Sequence, residues 1–209
     1  MSCPLCHSKS LKEYDVTGNI LFLECDQCSL LFKPSKFFPS IAKEKARYLL
    51  HENDVEDLHY QQFVAPIVNV IIQKHSPSKK GLDFGAGTGP VIAKLLTGKG
   101  YHISLYDPFF HPDKSVLSKR YDFIICCEVM EHFHVPFKEF ELLRKLLKPK
   151  GNLYCMTQLL PKKSEFENWN YRNDPTHVVF YSESSLNWIK EHFGFSGVTI
   201  NKRLIVFKT

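Results

Sequence analysis

Asp83 is followed two residues later by Gly85-Ala86-Gly87-Thr88-Gly89-Pro90, which places an acid and three alternating glycines in one short stretch. Glycine tolerates positive φ and lets the backbone approach a ligand, and a helix starting beyond such a loop presents unpaired N–H groups. The pattern therefore predicts a nucleotide-type cofactor loop between a strand and a helix. Its spacing is G-x-G-x-G, whereas a dinucleotide fingerprint needs a glycine where Pro90 stands. Pro90 suits the first position of a helix, where a missing N–H costs little.

Asp83 argues against a pyrophosphate, because a carboxylate beside a polyphosphate repels it unless a metal intervenes. A ligand carrying positive charge fits better. S-adenosylmethionine has a sulfonium and an ammonium next to a carboxylate, so an acid plus helix N–H groups complements both signs. The plainer alternative is an ordinary glycine-rich turn. A second acid, Asp107, lies 18 residues beyond Gly89, where nucleotide-binding α/β folds carry a ribose-binding acid; the alternative is a turn acid before Pro108.

Seven cysteines occur, and four form Cys3-x2-Cys6 and Cys25-x2-Cys28. That spacing is the one expected of a four-thiolate zinc site, with each pair on a tight turn and a hairpin between them. Four thiolates close the coordination shell, so the expected role is structural. Disulfides and a redox C-x-x-C are the competing readings. Residues 1–33 carry Lys9, Lys12 and Lys33 against Glu13, Asp15, Glu24 and Asp26, a balance that attracts a phosphate backbone poorly. Cys126, Cys127 and Cys155 fall in apolar strand-like runs and read as packing residues.

Imidazoles supply the third chemistry. His177 lies near Trp169, Tyr171, Phe180 and Tyr181, aromatic side chains able to wall an apolar pocket around a base that titrates near neutrality. A hydrogen-bonded structural histidine is the competing reading. His132 and His134 are further candidates, and Glu128-Val129-Met130-Glu131-His132 has E-x-x-E-H order, which is not the H-E-x-x-H of a zinc protease.

Positioning these groups requires alternating strands and helices. Helical patterns cover Ile41 to Leu50, Asp57 to Lys74, Val91 to Leu96, Phe137 to Leu147 and Ser184 to Phe193. Strand patterns cover Tyr101 to Tyr106, Asp122 to Cys127 and Asn152 to Thr157, with Gly197 to Ile200 and Leu204 to Lys208 as a closing antiparallel pair. His51-Glu52-Asn53-Asp54 reads as a polar cap. The alternation implies an α/β, Rossmann-like doubly wound sheet. The expected organisation is a zinc-ribbon-like module over residues 1–33, a helical linker over 34–77 and a cofactor-binding domain over 78–209.

With 44% hydrophobic and 23% charged residues the chain has the makeup of a globular protein, and the length excludes a large second domain. The net charge of +5 is dispersed, so no run resembles a nucleic-acid arm. The N-terminus lacks a basic start and an apolar core, and Val64 to Ile72 is too short to span a bilayer, so a cytoplasmic location is expected.

Over about Ser78 to Thr209 the sequence resembles the class I S-adenosylmethionine-dependent methyltransferases. The resemblance rests on Leu82-Asp83-Phe84-Gly85-Ala86-Gly87-Thr88-Gly89, Tyr106-Asp107-Pro108, Tyr121-Asp122-Phe123-Ile124 through Glu128-Val129-Met130-Glu131-His132, and Leu147-Lys148-Pro149-Lys150-Gly151-Asn152-Leu153. Asp174-Pro175-Thr176-His177-Val178-Val179-Phe180-Tyr181-Ser182 looks like the substrate-side stretch of small-molecule members. The resemblance implies that Gly85, Ala86, Gly87 and Gly89 line the methionine part of the cofactor, that Asp107 binds ribose, and that Glu128 lies near the reacting end.

One departure stands out. The segment between Asp107 and Tyr121 contains Pro108 and Pro112 and is too short for both a crossover helix and a third strand, so that region should be curtailed. Phe109 and Phe110 are then candidates for the adenine-side wall. The function expected is methyl transfer to a small or modified metabolite, with zinc as a structural ion and no membrane span. The alternatives are an RNA methyltransferase that uses the ribbon for recognition, and a non-catalytic binding protein with a degenerate cofactor site.

Overall fold

The computed structural model describes residues 1–17, 19–50 and 54–209. The expected polar cap at His51 to Asn53 lies outside the described residues. The chain starts with strands β1 (Leu11–Thr17), β2 (Ile20–Cys25) and β3 (Leu31–Phe32), then helices α1 (Ile41–Leu49) and α2 (Leu58–Lys74). Next come β4 (Lys80–Phe84), α3 (Val91–Thr97), β5 (His102–Tyr106), β6 (Tyr121–Cys127), α4 (Pro136–Leu146) and β7 (Leu147–Met156). The remainder comprises α5 (Lys163–Phe166), β8 (Val179–Phe180), α6 (Glu183–His192), β9 (Gly197–Asn201) and β10 (Leu204–Lys208).

Among the described residues the main sheet runs β5-β4-β6-β7-β10-β9, with β5, β4, β6 and β7 parallel and the β9–β10 pair antiparallel. This is the doubly wound layout the sequence predicts. Strand alternation explains why both faces are covered. On β6, Phe123 and Ile125 point to a core with Val64, Ile67 and Ile71 of α2 and Val91, Ile92 and Leu96 of α3. Ile124 and Cys126 point the other way, toward Phe140 and Leu143 of α4 and Leu186 and Ile189 of α6. Each such fully buried aliphatic or phenyl side chain stabilises the fold by about 1.5–3 kcal/mol.

Helix starts follow local chemistry. Ser40 caps α1, Asp57 caps α2, and Ser182 with Ser185 forms a reciprocal capping box on α6. The curtailed segment behaves as its length demands. After β5 the chain makes a bridge between Asp107 and His111 and a 3-10 turn at Lys114–Ser118, then enters β6 directly. β5 is consequently an edge strand.

The N-terminal hairpin is joined to the rest more closely than its sequence suggests. β3 pairs with β2 on one side and with β8 on the other, with Leu31 opposite Phe180 and Phe32 opposite Val179. Cys3, Leu5, Cys25, Cys28, Leu30 and Phe32 share one apolar core with α4, α6 and the underside of the main sheet. β8 is a two-residue strand that local patterning did not reveal. No helix among the described residues is long and apolar enough to cross a membrane.

Candidate functional site

The glycine loop takes the shape its composition allows. Gly85 has φ of +84° and Gly87 +62°, both in the left-handed region. A Cβ on Gly85 would sit 2.4 Å from Val129 Cγ2, so the loop is pressed against the segment after β6. The amides of Gly85 and Ala86 both donate to the Tyr106 carbonyl, at 2.8 and 3.1 Å, and tie the loop to the end of β5. Pro90 stands one residue before α3 rather than at its first position. Its φ of −77° suits entry into the helix while its ψ of 68° is not yet helical.

Asp83 and Asp107 flank this loop. Asp83 is buried at the end of β4, and desolvation, with the nearby Asp107 charge adding to it, pushes its carboxyl up to about 7. A positive ligand would relieve both effects. Asp107 is 8% exposed, and its Oδ1 accepts the amides of Phe109 (2.8 Å) and Phe110 (3.0 Å) while Oδ2 accepts that of Gly87 (3.0 Å). The acid thus shapes the glycine loop and the Phe109-Phe110 turn, and it lines a cavity together with that loop.

That cavity has a volume of about 930 Å³. Gly85, Ala86, Gly87, Thr88, Gly89 and Pro90 line one part with Asp83, Asp107, Pro108, Phe109 and Phe110. Glu128, Glu131, His132, His134, Tyr171, His177 and Arg203 line another, and Tyr48 of α1 and Tyr60 and Phe63 of α2 also line it. All the cofactor and catalytic candidates read from the sequence therefore meet in one space. The expected aromatic wall is only partly there: Tyr171 lines the cavity, but Tyr181 is buried in the main core and Trp169 and Phe180 pack with Phe22 and Phe166. The β3–β8 pairing, with Phe180 opposite Leu31, turns that ring away.

Glu128 directly follows β6 and takes the left-handed region, with φ of 51°. Such a conformation in a residue with a Cβ is strained and is held by surrounding contacts. Its amide donates to Met156 O (2.8 Å), and Oε2 accepts from Arg203 Nη2 (2.7 Å) and lies 3.3 Å from the Tyr171 hydroxyl oxygen. Burial, reinforced by Glu131, outweighs Arg203 and pushes the Glu128 carboxyl up to about 8.

Glu131 and His132 follow on a 3-10 turn, Met130–His132. Glu131 is 1% exposed, and burial raises its carboxyl to about 7 although the Tyr171 hydroxyl donates to Oε1. His132 Nδ1 donates to Thr176 O (2.9 Å) and His177 Nδ1 to Tyr171 O (2.7 Å). Carbonyls only accept, so both rings keep their Nε2 lone pairs free. Burial, and then the neighbouring His132, hold the His177 imidazole down to about 3, and burial also lowers His132. His177 is therefore neutral and a weak base, and the two carboxyls are better matched to proton transfer near neutrality.

Several contributors left little mark in the sequence. Arg47 of α1 donates from Nε (3.0 Å) and Nη2 (2.7 Å) to Asp174 Oδ2, and Tyr48 donates to Glu44 (2.8 Å) while its ring lies 5.2 Å from that of His132. Arg203 comes from the β9–β10 turn and stacks its guanidinium over Phe63 at 4.8 Å. An amphipathic helix and a hairpin turn carry no local sign of facing a cavity. At the other end of the chain, Cys3 and Cys28 approach to 3.5 Å, Cys6 and Cys25 to 3.4 Å, and all four sulfurs lie within 4.8 Å of one another.

Comparison with known proteins follows the geometry. A family profile described as a methyltransferase domain matches residues 57–200. Among solved structures, the chain is similar to a SAM-dependent methyltransferase from Archaeoglobus fulgidus, with a TM-score of 0.56 at 16% identity, covering 71% of this chain and 94% of that one. It is also similar to magnesium protoporphyrin IX methyltransferase from Synechocystis PCC 6803 with bound SAH, with a TM-score of 0.51 at 15% identity, covering 83% and 96%. At such identities these likenesses show the fold. No curated protein sequence matches.

Proposed function

Because this chain belongs to the class I S-adenosylmethionine-dependent methyltransferases, we propose that its acceptor is a small molecule held in the cavity opposite the glycine loop. The observation that carries this reading is a cavity of about 930 Å³ that α1 and α2 line together with the glycine loop, a volume in the range of small-molecule sites. The donor supplies an electrophilic methyl group on a sulfonium. The residues present suit it: Gly85 and Gly87 take the left-handed conformations that lay the loop along the cavity, Asp83 is a buried carboxylate in want of positive charge, and Asp107 lines the same space.

The protein's work is then to align the two partners, exclude water and take a proton where the acceptor carries one. Glu128 is suited to the last task. Its Oε1 has no hydrogen-bond partner among the described residues, and its raised pKa lets it gain and lose a proton near neutrality.

We read the four cysteines as a structural zinc site, since four sulfurs within 4.8 Å of one another can close on one ion at Zn–S distances of about 2.3 Å. The free thiols of Cys126, Cys127 and Cys155 and this zinc reading fit a reducing compartment such as the cytoplasm. The ribbon's lysines support a small acceptor over RNA: Lys33 is buried with its ammonium on Asp174 O (3.0 Å), and Lys12 is paired with Glu24 and Asp26.

The test uses donor labelled in its methyl group, incubated with enzyme and a cell extract separated into small-molecule, RNA and protein fractions. Label should enter the small-molecule fraction. Label confined to RNA or protein would overturn the reading.

A further inference from the structure

The donor half of the cavity is accounted for by the glycine loop and its acids. The other half contains a cluster that methyl transfer by itself does not require. Glu131, His132 and His177 each bring a donor atom to within 4.8 Å of the others. Ligands on one ion at about 2.1 Å lie roughly 3–4 Å apart, so small side-chain rotations suffice to close the set.

Local folding prepares the three groups for this. The 3-10 turn sets Glu131 and His132 side by side, and the amide of Val178 donates to Glu131 O (2.9 Å), which brings His177 to the same turn. Each imidazole is fixed through its Nδ1–H on a backbone carbonyl, with Nε2 left as a donor atom; that is how metal-binding histidines are oriented. Glu131 has one oxygen held by the Tyr171 hydroxyl, and its other oxygen has no hydrogen-bond partner among the described residues. A carboxylate oxygen buried without a partner in a protein interior calls for a cation or proton. Packing alone would account for the edge-to-face rings, but not for a buried, unpartnered oxygen beside two imidazole lone pairs.

We propose that Glu131, His132 and His177 form a divalent-metal site that binds an oxygen of the acceptor. Two imidazoles and one carboxylate suit a first-row ion such as manganese, iron, cobalt or zinc, and they leave coordination positions open. The inference rests on the small-molecule reading and narrows it to acceptors with a hydroxyl or phenol oxygen. On the ion, that hydroxyl loses its proton to the Glu128 carboxylate, whose free Oε1 belongs to the same cavity. The oxygen lone pair then forms the new C–O bond while the C–S bond of the sulfonium breaks, its electron pair staying on sulfur.

The test is direct metal binding by the full chain with its ribbon cysteines loaded with zinc. Mn2+ titrated under electron paramagnetic resonance should show one bound ion per chain, and His177→Ala and Glu131→Gln should each weaken it about tenfold or more. S-adenosylhomocysteine titrated into the same samples reports whether each variant is folded. Should a variant fail to fold, Co2+ added to the wild-type chain decides the matter. Bands of nitrogen and oxygen coordination without thiolate charge transfer support the site. Retained S-adenosylhomocysteine binding with no Mn2+ or Co2+ bound outside the cysteines, or unchanged Mn2+ affinity in folded variants, overturns it and leaves the small-molecule reading standing. Labelling of RNA or protein in place of small molecules overturns that reading separately.

Discussion

His132 and His177 meet edge to face with ring centroids 4.8 Å apart and planes at 64°, although one sits on the turn after β6 and the other in the loop before β8. Each ring gives its Nδ1–H to a carbonyl in the 171–177 stretch: His132 to Thr176 and His177 to Tyr171. The pair therefore locks the end of the main sheet to the loop that feeds the ribbon's sheet. Changes at this junction should be felt both in stability and in turnover.

Tyr171→Phe tests that junction. It removes the hydroxyl that donates to Glu131 and lies 3.0 Å from Thr157 Oγ1, and it leaves buried groups short of a partner. A loss of about 1–3 kcal/mol in denaturant unfolding is expected. Turnover should fall more than donor KM rises, because Tyr171 lies beside the acidic groups and not the glycine loop. Unchanged stability would refute the role given to this hydroxyl.

Gly85→Ala should weaken cofactor binding and destabilise the fold by about 1–3 kcal/mol, because alanine must take positive φ there. Its Cβ also collides with Val129. Adding Val129→Ala relieves the collision but not the backbone strain, so the double variant should recover part of the affinity for S-adenosylhomocysteine in calorimetry. Full recovery would show that backbone conformation contributes nothing.

Asp107→Asn keeps the shape of the side chain and its acceptor for two amides but removes the charge. Affinity for S-adenosylhomocysteine should fall about tenfold, the loss of one charge-assisted hydrogen bond. Asparagine already places an NH2 where Oδ2 accepts the Gly87 amide, and Asp107→Ala should in addition loosen the Phe109-Phe110 turn. Equal affinity of wild type and Asp107→Asn would exclude a contact between this carboxylate and ribose.

The Asp174 ion pair sets an acid limit on stability. Burial opposes ionisation of Asp174, but the Thr176 hydroxyl and the Arg47 guanidinium outweigh it and hold the carboxyl well below its ordinary value. A carboxyl lowered in the folded state contributes stability that is present above its unfolded pKa, about 3.9, and is lost as pH falls through the folded value. Unfolding free energy should therefore drop below about pH 4, and Asp174→Asn should flatten that drop. An unchanged acid slope in the variant would remove Asp174 as its source.

Metal removal should reach beyond the ribbon. β3 is paired to β8, and Leu5, Leu30 and Phe32 belong to the main core, so under the zinc proposal a chelator should lower the melting temperature of the whole chain in one transition. Two separate transitions, with the second unchanged by chelator, would show the ribbon to be energetically independent.

Much of this protein is determined by local sequence. The glycine loop, the order of strands and helices, the paired cysteines and the curtailed stretch after Asp107 follow from residue type and spacing, because φ preferences, side-chain periodicity and chain length act over a few residues. The convergence of Arg47, Tyr48, Glu131, Tyr171, His177 and Arg203 does not. These residues come from a covering helix, a 3-10 turn, a loop and a hairpin turn, and their meeting is decided by how helices and strands pack. The fate of Phe180 was set in the same way: the two-residue pairing of β3 with β8 placed it in a cluster with Phe22 and Phe166, against which Trp169 packs, and that pairing joins segments far apart in the chain. Local patterning supplied the glycine-loop side of the cavity, while tertiary packing assembled the side opposite it.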